Sequence, residues 1–379
     1  MKKIRVLHVV QAAGGVNRYI QMLIKYMDSN RFEHILACSQ DYHEVDYKNS
    51  PVFLEKIEMH REIGWNDINA IIAVRKVIRK YKPDVVYAHS SKAGAIARIA
   101  NIGMKNLCLY NPHGWAFNMD CSPTRKRLYA LIEKIEAMFC DKIICISDAE
   151  KLSALEKRIC GEEKQKVIYN GVDIEAYEKE PHGKIKRSDL AIPEDATVVG
   201  MVGRISPQKA PDVFVEMARL IREKKPDTHF IIVGTGEKRD EIERYIHDNG
   251  LESNFHITGW VENPMSYIEL FDIACLLSRW EGFGLVLPEY MMAGKPIVAT
   301  NVDAIPNIIH SEENGILVER DDPVAASKAI IRLYDDIKLR DSIVANERKC
   351  VHELYDAKRV AQEHENLIHE MQEQEAEGM

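Results

Sequence analysis

The sequence predicts an α/β protein built from two doubly wound parallel-sheet domains in tandem. Three observations carry that prediction. Short apolar strands alternate with helices of ten or more residues, the pattern of β-α-β units. The alternation breaks once, over residues 171–195, where Gly171, Pro181, Gly183 and Pro193 stand among charges, and then restarts. The length of 379 residues suits two to three domains.

In chain order, residues 4–10 form a largely apolar run of strand length, and Gly14-Gly15 opens a helix reaching about residue 27. Strands follow at 34–39, 84–88, 107–110, 142–146 and 167–169, separated by helices at 66–80, 91–101 and 123–139. Beyond the break, strands are expected at 197–202, 228–233, 255–258, 272–276 and 296–299, with helices at 210–223, 237–249 and 285–293. Helices continue from Pro323 to the end. The expected organisation is a Rossmann-like domain over 1–170, a linker over 171–195 and a second Rossmann-like domain over 196–355, with a cleft between the two domains. A closing helix and tail over 356–379 are expected to return to the first domain, the Glu-rich end from Gln372 fraying.

Composition narrows the class. Hydrophobic residues at 46% and charged residues at 29% are globular values and exclude a disordered or collagenous chain. No apolar run reaches the roughly 18 uncharged residues of a membrane span. Lys2 and Lys3 precede only a short apolar run leading into Ala12-Ala13-Gly14-Gly15, without the core and cleavage site of a signal peptide. A cytoplasmic protein is expected. The 8 cysteines are scattered without a C-x-x-C pair and read as reduced, buried small hydrophobes. No short-spaced ligand pair occurs, so no metal is expected. The net charge of −8 argues against nucleic-acid binding. Its distribution is uneven, with 27 Lys and Arg against 19 Asp and Glu in residues 1–170, and 24 against 40 thereafter. That asymmetry fits a first half facing something anionic, and equally a drift in surface charge between two domains.

Ligands of open α/β sheets bind beyond the carboxyl ends of the strands, so residues just after strands are the candidates. Arg204 and Lys209, five apart after the strand at 197–202, form a fork and a point charge that could grip a diphosphate, or are two solvated cations. After the strand at 272–276 comes Glu281-Gly282-Phe283-Gly284-Leu285, opening a helix that carries Glu289. Gly282 and Gly284 permit close backbone approach, and N–H groups at a helix start suit phosphate. Glu281 and Glu289 lie roughly two helical turns apart, placed to accept from paired sugar hydroxyls. A turn cap and a solvated helix residue are the plainer alternatives. Gly234-Thr235-Gly236 lacks the third glycine of a dinucleotide fingerprint. His113, in Asn111-Pro112-His113-Gly114-Trp115, reads from its neighbours alone as a structural histidine.

Together these segments resemble the retaining family 4 glycosyltransferases of the GT-B fold. Arg204-x4-Lys209 with Glu281-x7-Glu289 carries the resemblance, joined by Asn170-Gly171-Val172-Asp173, Gly234-Thr235-Gly236, Gly259-Trp260-Val261, Gly294-Lys295-Pro296 and Asn314-Gly315-Ile316-Leu317-Val318. These span nearly all of residues 165–335; the first half matches more loosely through Gly14-Gly15 and Pro112-His113-Gly114. The resemblance implies a role for each residue. Arg204 and Lys209 would hold the donor diphosphate as it leaves, Glu281 the donor-sugar hydroxyls and Glu289 the ribose. Gly282, Phe283, Gly284 and Leu285 would cradle phosphate or sugar with backbone amides. Gly14 and Gly15 would close over the diphosphate, His113 would meet the donor sugar, and Gly234, Trp260 and Val261 would line the nucleobase pocket. One departure stands out: many relatives carry Gly-Gly where this chain has Asp303-Ala304, which leaves the identity of the sugar more open than the reaction.

No Asp-x-Asp motif is present to hold a metal on the diphosphate; Arg204, Lys209 and a helix start would do that electrostatic work instead. The expected activity is retaining, metal-independent transfer of an N-acetylhexosamine or hexose from a UDP-sugar, with no cofactor. The expected acceptor is a polyprenyl-diphosphate-linked saccharide in surface polysaccharide synthesis. Peripheral contact with an anionic membrane is an expectation from Arg125-Lys126-Arg127, although the stripe Leu128, Leu131, Ile132, Ile135, Met138, Phe139 at helical spacing reads most simply as core. A soluble small acceptor, or a non-catalytic partner subunit, are the alternatives.

Overall fold

The apolar runs become two separate, all-parallel sheets in the computed structural model, which describes residues 2–11, 14–48, 50, 52–60 and 64–377. The chain forms two compact units, residues 1–173 with 356–379, and Ile174–Tyr355.

The first unit holds β1 (Ile4–Val10), β2 (Phe32–Cys38), β3 (Val52–Lys56), β4 (Val85–His89), β5 (Leu107–Asn111), β6 (Lys142–Cys145) and β7 (Gln165–Val167), in the order β3-β2-β1-β4-β5-β6-β7. Its main helices are α1 (Gly15–Tyr26), α2 (Asn66–Tyr81), α3 (Ser91–Asn101), α4 (Pro123–Glu136) and α5 (Asp148–Glu156), with a closing helix over Ala357–Glu377. Alternation along β1 explains why both faces are covered. Val6 and Val10 pack with Tyr19, Leu23, Val360 and Leu367 from α1 and the closing helix. Leu7 and Val9 pack with Val74, Ile78, Ile96 and Ala97 from α2 and α3. The chain re-enters this unit beside its exit, the Ala357 N–H donating to the Val172 carbonyl at 3.0 Å.

The second unit holds β8 (Val198–Val202), β9 (His229–Val233), β10 (Phe255–Gly259), β11 (Ile273–Leu276), β12 (Ile297–Thr300) and β13 (Ile316–Val318), in the order β10-β9-β8-β11-β12-β13. Its helices begin with α6 (Ile174–Lys179), α7 (Pro211–Arg222), α8 (Arg239–Asp248), α9 (Met265–Ile268) and α10 (Val286–Met292). In each sheet the strand order reverses once, at β1/β4 and at β8/β11, and these switch points are where doubly wound sheets bind ligands.

Besides β13 and α5, which the sequence expectation lacked, three elements differ from it. Residues 171–195 are not plain linker: they contain α6 and a helical turn at Arg187–Leu190, and from Ile174 they belong to the second unit. The edge strand β3 is only half-buried and carries Glu55 and Lys56, so its apolar signal is weak. The third difference is in α4. Its apolar stripe faces outward, with Leu128, Leu131 and Ile135 about half exposed and Met138 just beyond them more so, while Glu133 and Glu136 point inward. The buried Arg98 explains the inversion, since its Nη2 donates to Glu133 at 3.0 Å and to Glu136 at 2.5 Å. The Tyr110 hydroxyl also donates to Glu133, at 2.8 Å, and the Arg98 guanidinium lies 3.8 Å from the Tyr110 ring centre. Glu133 and Glu136 are three apart and share one helix face.

Candidate functional site

In the second unit, the loops after the neighbouring strands β8 and β11 are tied together at the switch point. Lys209 ends the turn Pro207–Lys209, and its Nζ donates to the Glu281 carboxylate. Ser278 Oγ donates to Glu281 Oε1 at 2.7 Å, and the Glu281 N–H donates to Asp303 Oδ2 at 2.9 Å. The adjoining backbone is braced by Gln208 Nε2 on the Trp280 carbonyl at 3.0 Å, and by Arg279, which bridges Asp212 at 2.6 Å and Asp321 at 2.7 Å. Lys209 and Glu281 are largely removed from water. The structure thus brings a cation and a carboxylate 72 residues apart in sequence into one part-buried pair.

Arg204 does not join that pair. It is exposed and its Nε lies 3.1 Å from Glu237. Close approach of its loop to the next one depends on Gly234, at φ 146°, because a Cβ there would stand 2.0 Å from the Gly203 carbonyl oxygen. Gly234 also bridges to Gly259, so the glycine turn after β9 adjoins the segment carrying Trp260, which is 76% exposed, and half-buried Val261. Gly282, Gly284 (φ 83°) and Leu285 lead into α10, whose first turn carries half-buried Glu289. The Phe283 side chain is buried, edge-on to Tyr355 at 5.8 Å, so only its backbone is available to a ligand.

Gly14, Gly15 and His113 belong to the first unit. Gly14, at φ 109°, caps α1 and Gly15 opens it; Ala12 and Ala13 lie outside the described residues. His113 follows β5 in the left-handed region at φ 50°, a conformation that costs a non-glycine residue about 1 to 3 kcal/mol. Its neighbours hold it there: the His113 N–H donates to Asn111 Oδ1 at 2.9 Å, and the Gly114 N–H to Glu150 Oε1 at 2.5 Å. The other Glu150 oxygen accepts from the Ile146 N–H at 2.8 Å. Burial pushes the Glu150 carboxyl up to about 8, against these two backbone donors. Burial also lowers His113 to about 3, so its ring is neutral. The ring's Nε2 meets His89 Nδ1 at 3.0 Å.

Sequence reading passed over Ser278 and Glu150, and noted Asp303 only as a departure. A lone serine before a glutamate carries no signal by spacing, and Glu150 resembles an ordinary first-turn acid of α5. His8 did carry a signal, a titratable side chain flanked by Val6, Leu7, Val9 and Val10, and His89 stood in the segment just after the strand expected at 84–88.

The sequence profile of Glycosyltransferase Family 4 matches residues 13–176, and that of glycosyl transferases group 1 matches residues 184–350. The UDP-Gal:alpha-D-GlcNAc-diphosphoundecaprenol alpha-1,3-galactosyltransferase of Escherichia coli is 29% identical over 343 residues, covering 88% of this chain and 89% of that one. The capsular polysaccharide biosynthesis glycosyltransferase CapM of Staphylococcus aureus is 25% identical over 378 residues, covering 97% of each. Among solved structures, Anabaena HepE in complex with UDP and glucose superposes with a TM-score of 0.82 at 21% identity, covering 96% of this chain and 99% of that one. At that identity the likeness is one of fold.

Proposed function

Since the chain belongs to the family 4 glycosyltransferases of the GT-B fold, we propose that it transfers a sugar from a UDP-linked donor to a lipid-linked saccharide, with retention and without a metal. The observation that carries this reading is the pair of half-buried Lys209 and buried Glu281 at the β8/β11 switch point. A departing nucleoside diphosphate accumulates negative charge, and a fixed cation in a partly dry site stabilises it strongly. On donor arrival Lys209 exchanges its carboxylate partner for the diphosphate, and Glu281, still accepting from Ser278, takes up sugar hydroxyls. Arg204 leaves Glu237 for the same diphosphate, and Glu289 accepts from the ribose. The glycosyl carbon–phosphate oxygen bond breaks, the acceptor oxygen bonds that carbon on the same face, and the acceptor proton passes to the departing diphosphate. The UDP and lipid-linked acceptor follow the Escherichia coli relative, whose name gives a UDP-Gal donor and an alpha-D-GlcNAc-diphosphoundecaprenol acceptor.

Thermal unfolding with UDP, GDP, ADP and dTDP, each with and without EDTA, tests the donor. UDP at about a hundredfold above its Kd is expected to stabilise by about 2.7 kcal/mol, selectively and with no response to EDTA. A shift abolished by EDTA would remove the metal-free assignment, and equal shifts from all four nucleotides the UDP assignment.

No helix among the described residues is long and apolar enough to cross a membrane. The lipid acceptor is instead met at the outward apolar side of α4, where Leu128, Leu131, Ile135 and Met138 adjoin Arg125, Lys126 and Arg127. Apolar side chains beside cations suit the boundary of an anionic bilayer. At about 1 kcal/mol for each cation, replacing all three by Gln should lower binding to phosphatidylserine-containing vesicles on the order of a hundredfold. An unchanged vesicle-bound fraction in a sedimentation assay would end the membrane assignment.

A further inference from the structure

A chain of four histidines crosses the sheet of the first unit, three on neighbouring strands and one just beyond the end of a fourth. His34 lies on β2, His8 on β1, His89 at the end of β4 and His113 two residues beyond β5. The register explains how they meet. His8 is opposite Leu36, two residues beyond His34; Tyr87, two before His89, is opposite His8; and Asn111, two before His113, is opposite His89. A step of two residues per strand keeps all four rings on one face and carries the row toward the carboxyl ends of the strands. The nitrogens meet at 3.1 Å from His34 Nδ1 to His8 Nε2, at 3.1 Å from His8 Nδ1 to His89 Nε2, and at 3.0 Å from His89 Nδ1 to His113 Nε2. Successive rings are inclined by only 27°, 22° and 23°.

Burial keeps every ring neutral, lowering His34 to about 4 and His113 to about 3, and His8 and His89 well below their ordinary value. A neutral imidazole has one proton, and each of the three contacts needs one. Only two arrangements satisfy all three contacts: every proton on Nδ1, or every proton on Nε2. They differ at the closed end of the row. His34 is buried and its Nε2 has no hydrogen-bond partner among the described residues. The Nε2 arrangement would strand an N–H there, and orphaned buried N–H groups are rare. The Nδ1 arrangement leaves a lone pair at His34 and delivers the surplus N–H to Nδ1 of half-buried His113, at the strand end.

We propose that His34, His8 and His89 are positioning residues that hold His113 in the Nδ1–H form, so that it donates a hydrogen bond to an oxygen of the sugar and does not accept one. The sugar in this statement rests on the function proposed above; the proton arrangement does not.

The test is a two-bond proton–nitrogen correlation spectrum of the full-length protein labelled with nitrogen-15 histidine, which reads the protonated nitrogen of each ring. The expected result is one shared form, with His34, His8, His89 and His113 all protonated on Nδ1, by roughly tenfold or more over the alternative. A His113 resonance pattern with the proton on Nε2 overturns the proposal without any variant. His89→Leu cuts the row, and His113 is then expected to show both forms, while His229 and His256 in the second unit keep their wild-type signals. An unchanged His113 pattern in that folded variant also overturns it. His113→Ala separates the two readings: undiminished sugar transfer would remove His113 from the donor site, while the wild-type spectrum still decides the arrangement of protons.

Discussion

Replacing Lys209 by alanine is expected to reduce sugar transfer by roughly a hundredfold to a thousandfold, the usual effect of removing one group that stabilises developing negative charge. The same substitution also strands Glu281, which is buried and, among the described residues, keeps only Ser278 as a side-chain donor. An unpaired buried carboxylate costs about 3 to 5 kcal/mol, so lost activity in the single variant has two sources. Lys209→Ala combined with Glu281→Gln isolates the stability part, because the neutral amide no longer needs a cation. The double variant should unfold near the wild-type temperature, whereas Lys209→Arg keeps the charge with Glu281 intact and should retain measurable transfer. Initial rates with a UDP-sugar and thermal melts of all three variants make the comparison. Turnover by folded Lys209→Ala within tenfold of wild type would remove Lys209 from the diphosphate.

Lys209 and Glu281 were each legible as candidates because both follow strands, while their pairing was not. In a doubly wound sheet the ends of adjacent strands converge at the switch point, so residues 72 apart in sequence become neighbours once the strand order is known. Arg204 was a candidate by the same position after a strand, and its present partner Glu237 shows how little spacing says about the partner of a long side chain on an exposed loop. Asp303 appeared in the sequence only as a missing glycine; the structure gives it work, at φ 45°, accepting the Glu281 N–H. The histidine row was hidden for a different reason. Each member is a single residue in its own strand, and what joins them is the two-residue stagger of strand register, a property no local window contains. The helix α4 shows the opposite failure. Its apolar periodicity is real, and periodicity identifies a face without saying which face is inside. What decides is a side chain on another helix, Arg98.

Arg98→Met is accordingly expected to be the most destabilising single change in the first unit. Methionine fills much of the aliphatic stem's space, so the loss is mainly of charge: Glu133 and Glu136 are left buried without the cation both accept from. Removing one partner of a buried pair costs about 3 to 5 kcal/mol. The deficit depends on pH. Burial pushes the Glu136 carboxyl up to about 7 even with Arg98 opposing it, so its neutral form is favoured on folding. For an acid raised in the folded state, the stabilising contribution is full below its ordinary value near 4.5 and is lost as pH rises through about 7. Without Arg98 that loss steepens, so the gap between Arg98→Met and wild type should be widest near pH 8 and shrink toward pH 5. Denaturant melts at several pH values measure it, and a gap independent of pH would show that the carboxyl is not the stranded group. Adding Glu133→Leu and Glu136→Leu should restore stability, since a buried ionic cluster can be exchanged for apolar packing at little cost. That triple variant has a second consequence. With leucine on both faces, α4 no longer has a charged side that must turn inward, and nothing polar then holds Leu128, Leu131 and Ile135 toward solvent. If the buried charges are what present the apolar stripe, the triple variant should recover its stability and still lose binding to phosphatidylserine-containing vesicles; recovery of both would mean that the packing of α4 fixes its orientation without them.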